Sequence, residues 1–526
     1  MKRFVILASL AALAMVVGFG PGQRGAADAA GGSTLNRPED PVVLTGADVP
    51  SLVGIMPGDV VAFRYDTAWV QIPVQVDERD AKTFGTVYNG SVPGYPAAYN
   101  AISTLQYVDT GTFTGADSDP TLDANDEIAF MANDAGGVPP SFAEPAGVMA
   151  GTGLQIAITN PLAAGQIGYV YMFRQNGSLS AGAGQSYVNY TFSLNSGAYK
   201  TTYIMATNGG NPENSTIATA NYTYHFGDRW QEDQMKISIG GATNVDILDR
   251  HKAMFAPGNC QRSEDTFDGI IFSAPIEGAF VVNKSGPVRA IRSYVGANSG
   301  PLTEREQIFY AQRQDIRTYL RVHAIASITD FFDYSPAASG MTYYNGLNTG
   351  GVTIDGVPET PLAGAIVWQM VTGAQGTVVQ AGVISTNIAN FAYTSYYLDK
   401  SGPLPLVGSE TQCTGDAFAY GSSGTYVSSI PCTDPGTSCT NFMNTTNTMY
   451  YEAPGTSVAT AQALNARANT PLAHATQTWH AAGVGGIAEA ATPLAPSGSG
   501  GVRDAILVVM VALVGFGAIG ALVVRR

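Results

Sequence analysis

Charge is scarce in this sequence. Only 13% of its 526 residues are Asp, Glu, Lys or Arg, and acids outnumber bases to leave a net charge of −15. A polyanion needs a basic footprint, so nucleic acid is excluded as a partner. Histidine (5), cysteine (4) and tryptophan (4) are few as well. No H-E-x-x-H, G-x-S-x-G, P-loop or dinucleotide glycine fingerprint stands in the strand–helix context it needs, which removes those enzyme classes. The stretch CTDPGTSC has no histidine near it, so a disulfide is favoured over zinc there. No fixed-period repeat occurs, and propellers and solenoids drop out with it.

What is abundant points the other way. Hydrophobic residues make up 45%, with 26 Tyr, 21 Phe and 61 Gly. That composition excludes general disorder and suits a β-rich extracellular protein of about two to four domains. Both chain ends carry targeting signals. MKRFVILASLAALAMVVGFG places Lys2 and Arg3 before an apolar run, and AADAA follows. This is the order of a secretory signal peptide over residues 1–30, cut after Ala29 or Ala30. Ala505 to Val524 is apolar without interruption, long enough to span a bilayer core of about 30 Å. Arg525 and Arg526 should stay cytoplasmic. Residues 486–504, rich in Pro, Gly and Ser, read as a tether. The expected address is the cell membrane, single-pass type I, with the ectodomain outside. No LPxTG-like motif precedes the span, so a permanent anchor is preferred over a sorting-protease signal.

Four cysteines, Cys260, Cys413, Cys432 and Cys439, fall in the exported part, and an even count suggests two disulfides. Three pairings are open. Cys413 and Cys432 flank a Gly/Ser-rich loop and make one local candidate.

After a short disordered lead-in at 31–40, VVAFRY and WVQIPVQV alternate as strands around the turn YDTA, predicting a hairpin. Residues 41–175 read as one β-sandwich-like domain. Residues 176–485, from YVNYTFS to FAYTSYYL, read as a larger sandwich region with a Cys-containing loop inserted late. Only ATAQALNARA, Ala459 to Ala468, reads as a helix. The fold class is mainly β, with two or more antiparallel sandwich-like domains.

GADSDPTLDANDEIAFMANDAG, Gly115 to Gly136, concentrates six carboxylates in 22 residues. Hard cations such as Ca²⁺ take six to eight oxygens at about 2.3–2.6 Å, and a curled loop supplies them. Asp117, Asp119, Asp123, Asn125, Asp126 and Glu127 are the expected ligands of a structural calcium. Gln75, Asp77 and Glu78 would add to them if the hairpin lies alongside. The competing reading is a surface loop of Asx-turns. The EF-hand template does not fit, whereas D-A-N-D-E is similar over five residues to the DxNDN run of cadherin linkers. More broadly, QIPVQVDERD through GADSDPTLDANDEIAFMANDAGG, residues 71–137, resembles a block found in uncharacterised secreted proteins, which implies no activity.

A second candidate is a polar sheet face. In IRTYLRVHAIASI, odd positions place Arg317, Tyr319, Arg321 and His323 on one side. EREQIFYAQRQ offers Glu304, Glu306 and Tyr310, and GPVRAIRSY offers Arg289, Arg292 and Tyr294. Tyr or His could take a proton while Arg steadies a carboxylate, as an acidic-saccharide site requires. The competing reading is ordinary cross-strand pairing. His225, near Asp228, Arg229 and Glu232, divides in the same way between a pocket and a structural turn. Two functions remain. The first is a membrane-anchored, calcium-stabilised binding or structural ectodomain facing a cell-surface glycan or protein. The alternative is a surface-tethered carbohydrate-active lyase or hydrolase.

Overall fold

The computed structural model describes residues 32–195, 202–203, 213–228, 230, 232–255, 278–297, 300–321, 324–404 and 418–479. The expected signal peptide, tether, membrane helix and basic tail lie outside these residues, as do Arg229, Cys260, His323 and Cys413. Among the described residues no helix is long and apolar enough to cross a membrane. The chain is mainly β and is built of antiparallel sheets.

The expected hairpin forms, with Val60–Tyr65 pairing Trp69–Ile72. It belongs to a five-strand sheet in the order Ala473–Trp479, Gly153–Thr159, Ile167–Arg174, Val60–Tyr65, Trp69–Ile72. A three-strand sheet of Pro41–Thr45, Glu127–Met131 and Gln75–Asp77 faces it. Leu44, Ile128 and Phe130 of the smaller sheet share one core with Val60, Ile156 and Ile158 of the larger. The alternation of apolar residues along each strand directs these side chains to one side. The outermost strand comes from the far end of the chain. Ala473–Trp479 runs in register from Ala473↔Thr159 to Trp479↔Gly153, so the expected boundary at 175/176 is crossed by a returning strand.

The lead-in expected to be disordered is tied down instead. Arg37 is buried and donates to Asp40 at 2.6 Å, to the Thr470 carbonyl at 2.7 Å and to the Arg467 carbonyl at 2.8 Å. Those carbonyls close the helix Val458–Asn469, whose negative end favours a cation. The partners lie more than 400 residues away, where local composition gives no hint of them.

The centre is a ten-strand sheet in which Ala290–Ala297, Gly300–Phe309, Arg313–Leu320, Met443–Glu452 and Gly376–Thr386 are successive neighbours. One face meets the N-terminal part, where Phe84, Val87 and Tyr88 pack on Ala279, Val281 and Leu302. The other face carries two four-strand sheets. Tyr222, Tyr224 and Phe226 of one pack near Phe309 and Tyr451. Ala253, Phe255, Ile328 and Val427 of the other pack on Leu320 and Met443. Gly300–Phe309 is buried at every position from Leu302 onward.

Candidate functional site

The predicted polar face exists, and its charges are spent on one another. Arg317 stands directly across from Glu306 in the strand register, and its Nη1 lies 2.8 Å from Glu306 Oε1. Arg321 Nη1 lies 2.6 Å from Glu304 Oε2, with its guanidinium 4.8 Å from the Tyr319 ring and 5.6 Å from the Phe84 ring. Glu304 also accepts from Ser293 Oγ at 3.1 Å and from Gln106 Nε2 at 2.9 Å. Gln106 belongs to the hairpin Arg79–Thr83/Ser103–Tyr107, which reaches over this face. His323 lies outside the described residues. Arg289 and Arg292 were expected on one face, but they are three residues apart and point oppositely, as period two requires. Arg292 pairs with buried Glu213 at 2.6 Å and sits 4.2 Å from the Phe226 ring, on the far side of the sheet.

Arg289 instead joins the acidic block. It meets Asp77 Oδ2 and Glu127 Oε2, each at 2.8 Å. Glu127 further accepts from Arg79 at 2.8 Å and from the Tyr107 hydroxyl at 2.6 Å. Burial pushes the Glu127 carboxyl up, but Arg289 and Arg79 overcome it and hold it at about 2. Of the six expected ligands, Glu127 is thus turned away from the loop. Gln75 and Asp77 are likewise engaged with Arg289.

The loop itself is fixed by its own backbone. Asp126, buried, accepts from the Arg79 N–H at 2.7 Å and the Asp123 N–H at 2.8 Å. Asp123 accepts from the Asn125 N–H at 2.8 Å, Asp117 from the Asp119 N–H at 2.9 Å, and Asp119 from Thr121 Oγ1 at 2.7 Å. Gly46 lies against it so closely that a Cβ there would fall 1.8 Å from the Asp123 carbonyl oxygen. Two oxygens, Asp117 Oδ2 and Asn125 Oδ1, are shielded from water and have no hydrogen-bond partner. Burial raises the Asp126 carboxyl, and Asp123 and Asp117 add to the effect. Burial also raises Glu78, which is repelled by Asp126, Asp117 and Asp119 against the pull of Lys284.

A different group has carboxylates at metal-ligand spacing. Asp355, Glu359 and Asp399 have oxygens within 4.8 Å of one another, with Asp355 and Glu359 exposed. Asp399 is buried and accepts from the Asp355, Gly356 and Gly421 N–H groups at 2.9, 3.0 and 3.1 Å. The reading of the sequence passed over these residues, because 44 positions of chain separate Asp355 from Asp399.

It also passed over His251, in LDRHKAMF. This imidazole is buried where three sheets meet. Its Nδ1 lies 3.2 Å from Glu232 and its Nε2 2.8 Å from Asp330, and it stacks on Phe332 at 4.1 Å. Arg305 binds the other side of Asp330 at 3.0 Å and Thr318 at 3.1 Å. Burial pushes His251 down, but Glu232 and Asp330 raise it to about 9. Beside it are two adjoining cavities of about 30 and 20 Å³ between the central sheet and its neighbour. Gln369, Gln380, Asn447 and Thr425 line the smaller, and Gln380 Nε2 has no protein partner. Spaces of this size hold a water molecule rather than a sugar. His225 is a structural contact, bonded to Asp233 and to Asn214 at 2.8 Å.

No protein-family model and no curated protein sequence matches the chain. Among solved structures, a GalM/aldose epimerase homologue from C. elegans aligns at 8% identity over 45% of this chain and 97% of its own, with a TM-score of 0.25. A proposed aldose 1-epimerase from Escherichia coli K12 aligns at 10% identity over 44% and 97%, with a TM-score of 0.23. Likeness at such scores assigns neither fold nor activity.

Proposed function

We propose that the protein is a membrane-anchored surface protein whose ectodomain binds or builds rather than catalyses. The observation that carries this reading is the pairing of Arg317 with Glu306 and of Arg321 with Glu304 under the Gln106 hairpin. Those cations are already neutralised at 2.6–2.8 Å, so a substrate carboxylate approaching them would also meet Glu306 and Glu304. The carbohydrate-active alternative must overcome that repulsion, and the binding reading does not. The partner is a cell-surface glycan or protein that meets the outer surface of the sheets.

A calcium ion at the acidic loop is part of the same proposal. Supporting it are the two partnerless oxygens of Asp117 and Asn125 and the mutual repulsion of Asp126, Asp117 and Glu78, which a dication would relieve. Asp117, Asp119, Asp123, Asn125 and Asp126 remain the proposed ligands, with Glu78 in place of Glu127.

The test pairs address with activity. Protease treatment of intact cells should remove the full chain from the surface, and a chain ending at 485 should appear in the medium. The soluble ectodomain should leave acidic polysaccharides intact while retaining ligands on a glycan array or a cell-surface protein panel. Polysaccharide turnover that disappears in Tyr319→Phe or Arg317→Ala would establish the enzyme instead.

A further inference from the structure

The chain passes from the strand Ala419–Ile430 in one outer sheet to Met443–Glu452 in the central sheet through residues 431–442. This crossover is held at several points. Asp434 Oδ2 accepts from the Tyr99 hydroxyl at 2.9 Å, and Gly436 lies so close to that ring that a Cβ would fall 2.2 Å from it. Asn387 donates to the Thr440 carbonyl and accepts from the Phe442 N–H, both at 2.8 Å. Within the crossover two thiols converge. Cys432 Sγ accepts from the Asp434 N–H at 3.4 Å and lies 3.6 Å from Thr437 Oγ1. The Cys439 N–H donates to the same Thr437 oxygen at 3.1 Å, and Cys439 Sγ contacts the Cys432 carbonyl. Thr437 Oγ1 thus ties the Cys432 sulfur to the Cys439 backbone, Cys439 Sγ lies against the Cys432 backbone, and both residues are only half-buried. A docked turn that already places Cys439 Sγ against the Cys432 backbone loses little further freedom on bonding the two sulfurs.

We infer that Cys432 and Cys439 form a disulfide that locks this crossover in its docked shape. The pairing departs from the local Cys413–Cys432 candidate. The chemistry is thiol–disulfide exchange with a small-molecule disulfide. The Cys432 thiolate attacks one sulfur of oxidised glutathione and expels a glutathione thiolate. Cys439 then gives its proton to solvent, and its sulfur displaces the second glutathione. Two protein thiols are oxidised and one glutathione disulfide is reduced to two thiols. Cys432 is the attacking group because Cys439, the Asp434 N–H and Thr437 bring its thiol below the ordinary value in spite of burial, whereas burial and Cys432 push Cys439 up. The pairing does not depend on the proposed surface address, although its persistence in cells does.

The test uses the full chain, reduced, then exposed to oxidised glutathione under native conditions, acid-quenched and alkylated. No Lys or Arg lies between Lys400 and Arg467, so trypsin alone leaves three cysteines on one peptide. Adding a protease that cuts before aspartate separates 401–415, 416–433 and 434–467. The expected product is 416–433 joined to 434–467. A bond from 401–415 to 416–433, or alkylated Cys432 and Cys439, overturns the inference. In Cys439→Ser, peptide 416–433 should carry one glutathione; an unmodified Cys432 there also counts against it. Free thiols in protein taken from cells, with the bond forming in vitro, would sink the address and leave the pairing standing.

Discussion

Arg289 and Glu127 meet at 2.8 Å although 162 residues separate them in the chain. With Asp77, the third member, they are sealed from water and join the N-terminal sheets to the central one. Removing the guanidinium would leave two buried carboxylates close together, with Arg79 at 2.8 Å from Glu127 and Lys284 at 3.4 Å from Asp77 as their remaining cations. Arg289→Met should therefore cost the protein about 3 kcal/mol in urea unfolding, the lower end of the range for a broken buried pair. A loss below about 1 kcal/mol would mean that water reaches the cluster and screens it.

The same cluster sets an acid limit. Glu127 titrates near 2 when folded, against an ordinary 4.5, because Arg289 and Arg79 outweigh its burial. A carboxylate lowered in this way contributes stability that is complete above pH 4.5 and is lost as pH falls towards 2. Melting temperature should drop across that window, and Glu127→Gln should flatten the drop while lowering stability at neutral pH.

His251 imposes an alkaline limit of opposite sign. Burial disfavours its charge, yet Glu232 and Asp330 hold its pKa at about 9 rather than 6.5. Its contribution is complete below pH 6.5 and disappears as pH rises through 9, and the size is on the order of 3 kcal/mol. The protein should lose melting temperature across that interval. His251→Phe should be less stable at pH 6 and nearly insensitive to pH above it. An equal alkaline slope in wild type and variant would assign the loss to other groups.

Local patterns in the sequence carried the elements well. Period-two alternation marked the hairpin Val60–Ile72, and alanine-rich helical spacing marked Val458–Asn469. Alternation also put Arg317, Tyr319 and Arg321 on one face. It could not say that Glu304 and Glu306 would neutralise that face, because register between strands is a tertiary property. His251 was invisible for a related reason. Its partner Asp330 is 79 residues away, and nothing in LDRHKAMF signals burial of an imidazole. Glu127 belonged to the acidic run by sequence and to the core by strand alternation, and the strand prevailed.

The calcium proposal has a direct thermal test. A ligand bound only by the folded state adds about 2.7 kcal/mol at a hundredfold excess over its Kd. Calcium added to the chelator-stripped protein should raise the melting temperature. Asp117→Asn, which keeps the loop's shape, should abolish the rise. Asp355→Asn, in the separate carboxylate group, should not. Gly46→Ala should weaken the response from outside the ligand set, since its methyl would fall on the Asp123 carbonyl and displace the loop. No shift in the wild-type protein would remove the ion and leave the Asx-turn reading.

The returning strand predicts how the chain can be divided. Ala473–Trp479 covers the edge of Gly153–Thr159, and Trp479 packs among Phe142 and Tyr171 with ring separations of 4.6 and 4.9 Å. A chain ending at Leu472 would expose that edge and those rings together. An uncovered apolar edge strand pairs with other chains. The shortened protein should therefore unfold at lower urea and associate in sedimentation, and the loss should fall on the N-terminal sheets. Hydrogen exchange would locate it: amides of Gly153–Thr159 should lose protection, while those of Gly300–Phe309, deep in the central sheet, should keep theirs. Equal loss in both places would show that the two parts unfold as one unit, and the returning strand would then be a seam between them rather than the edge of a separable domain.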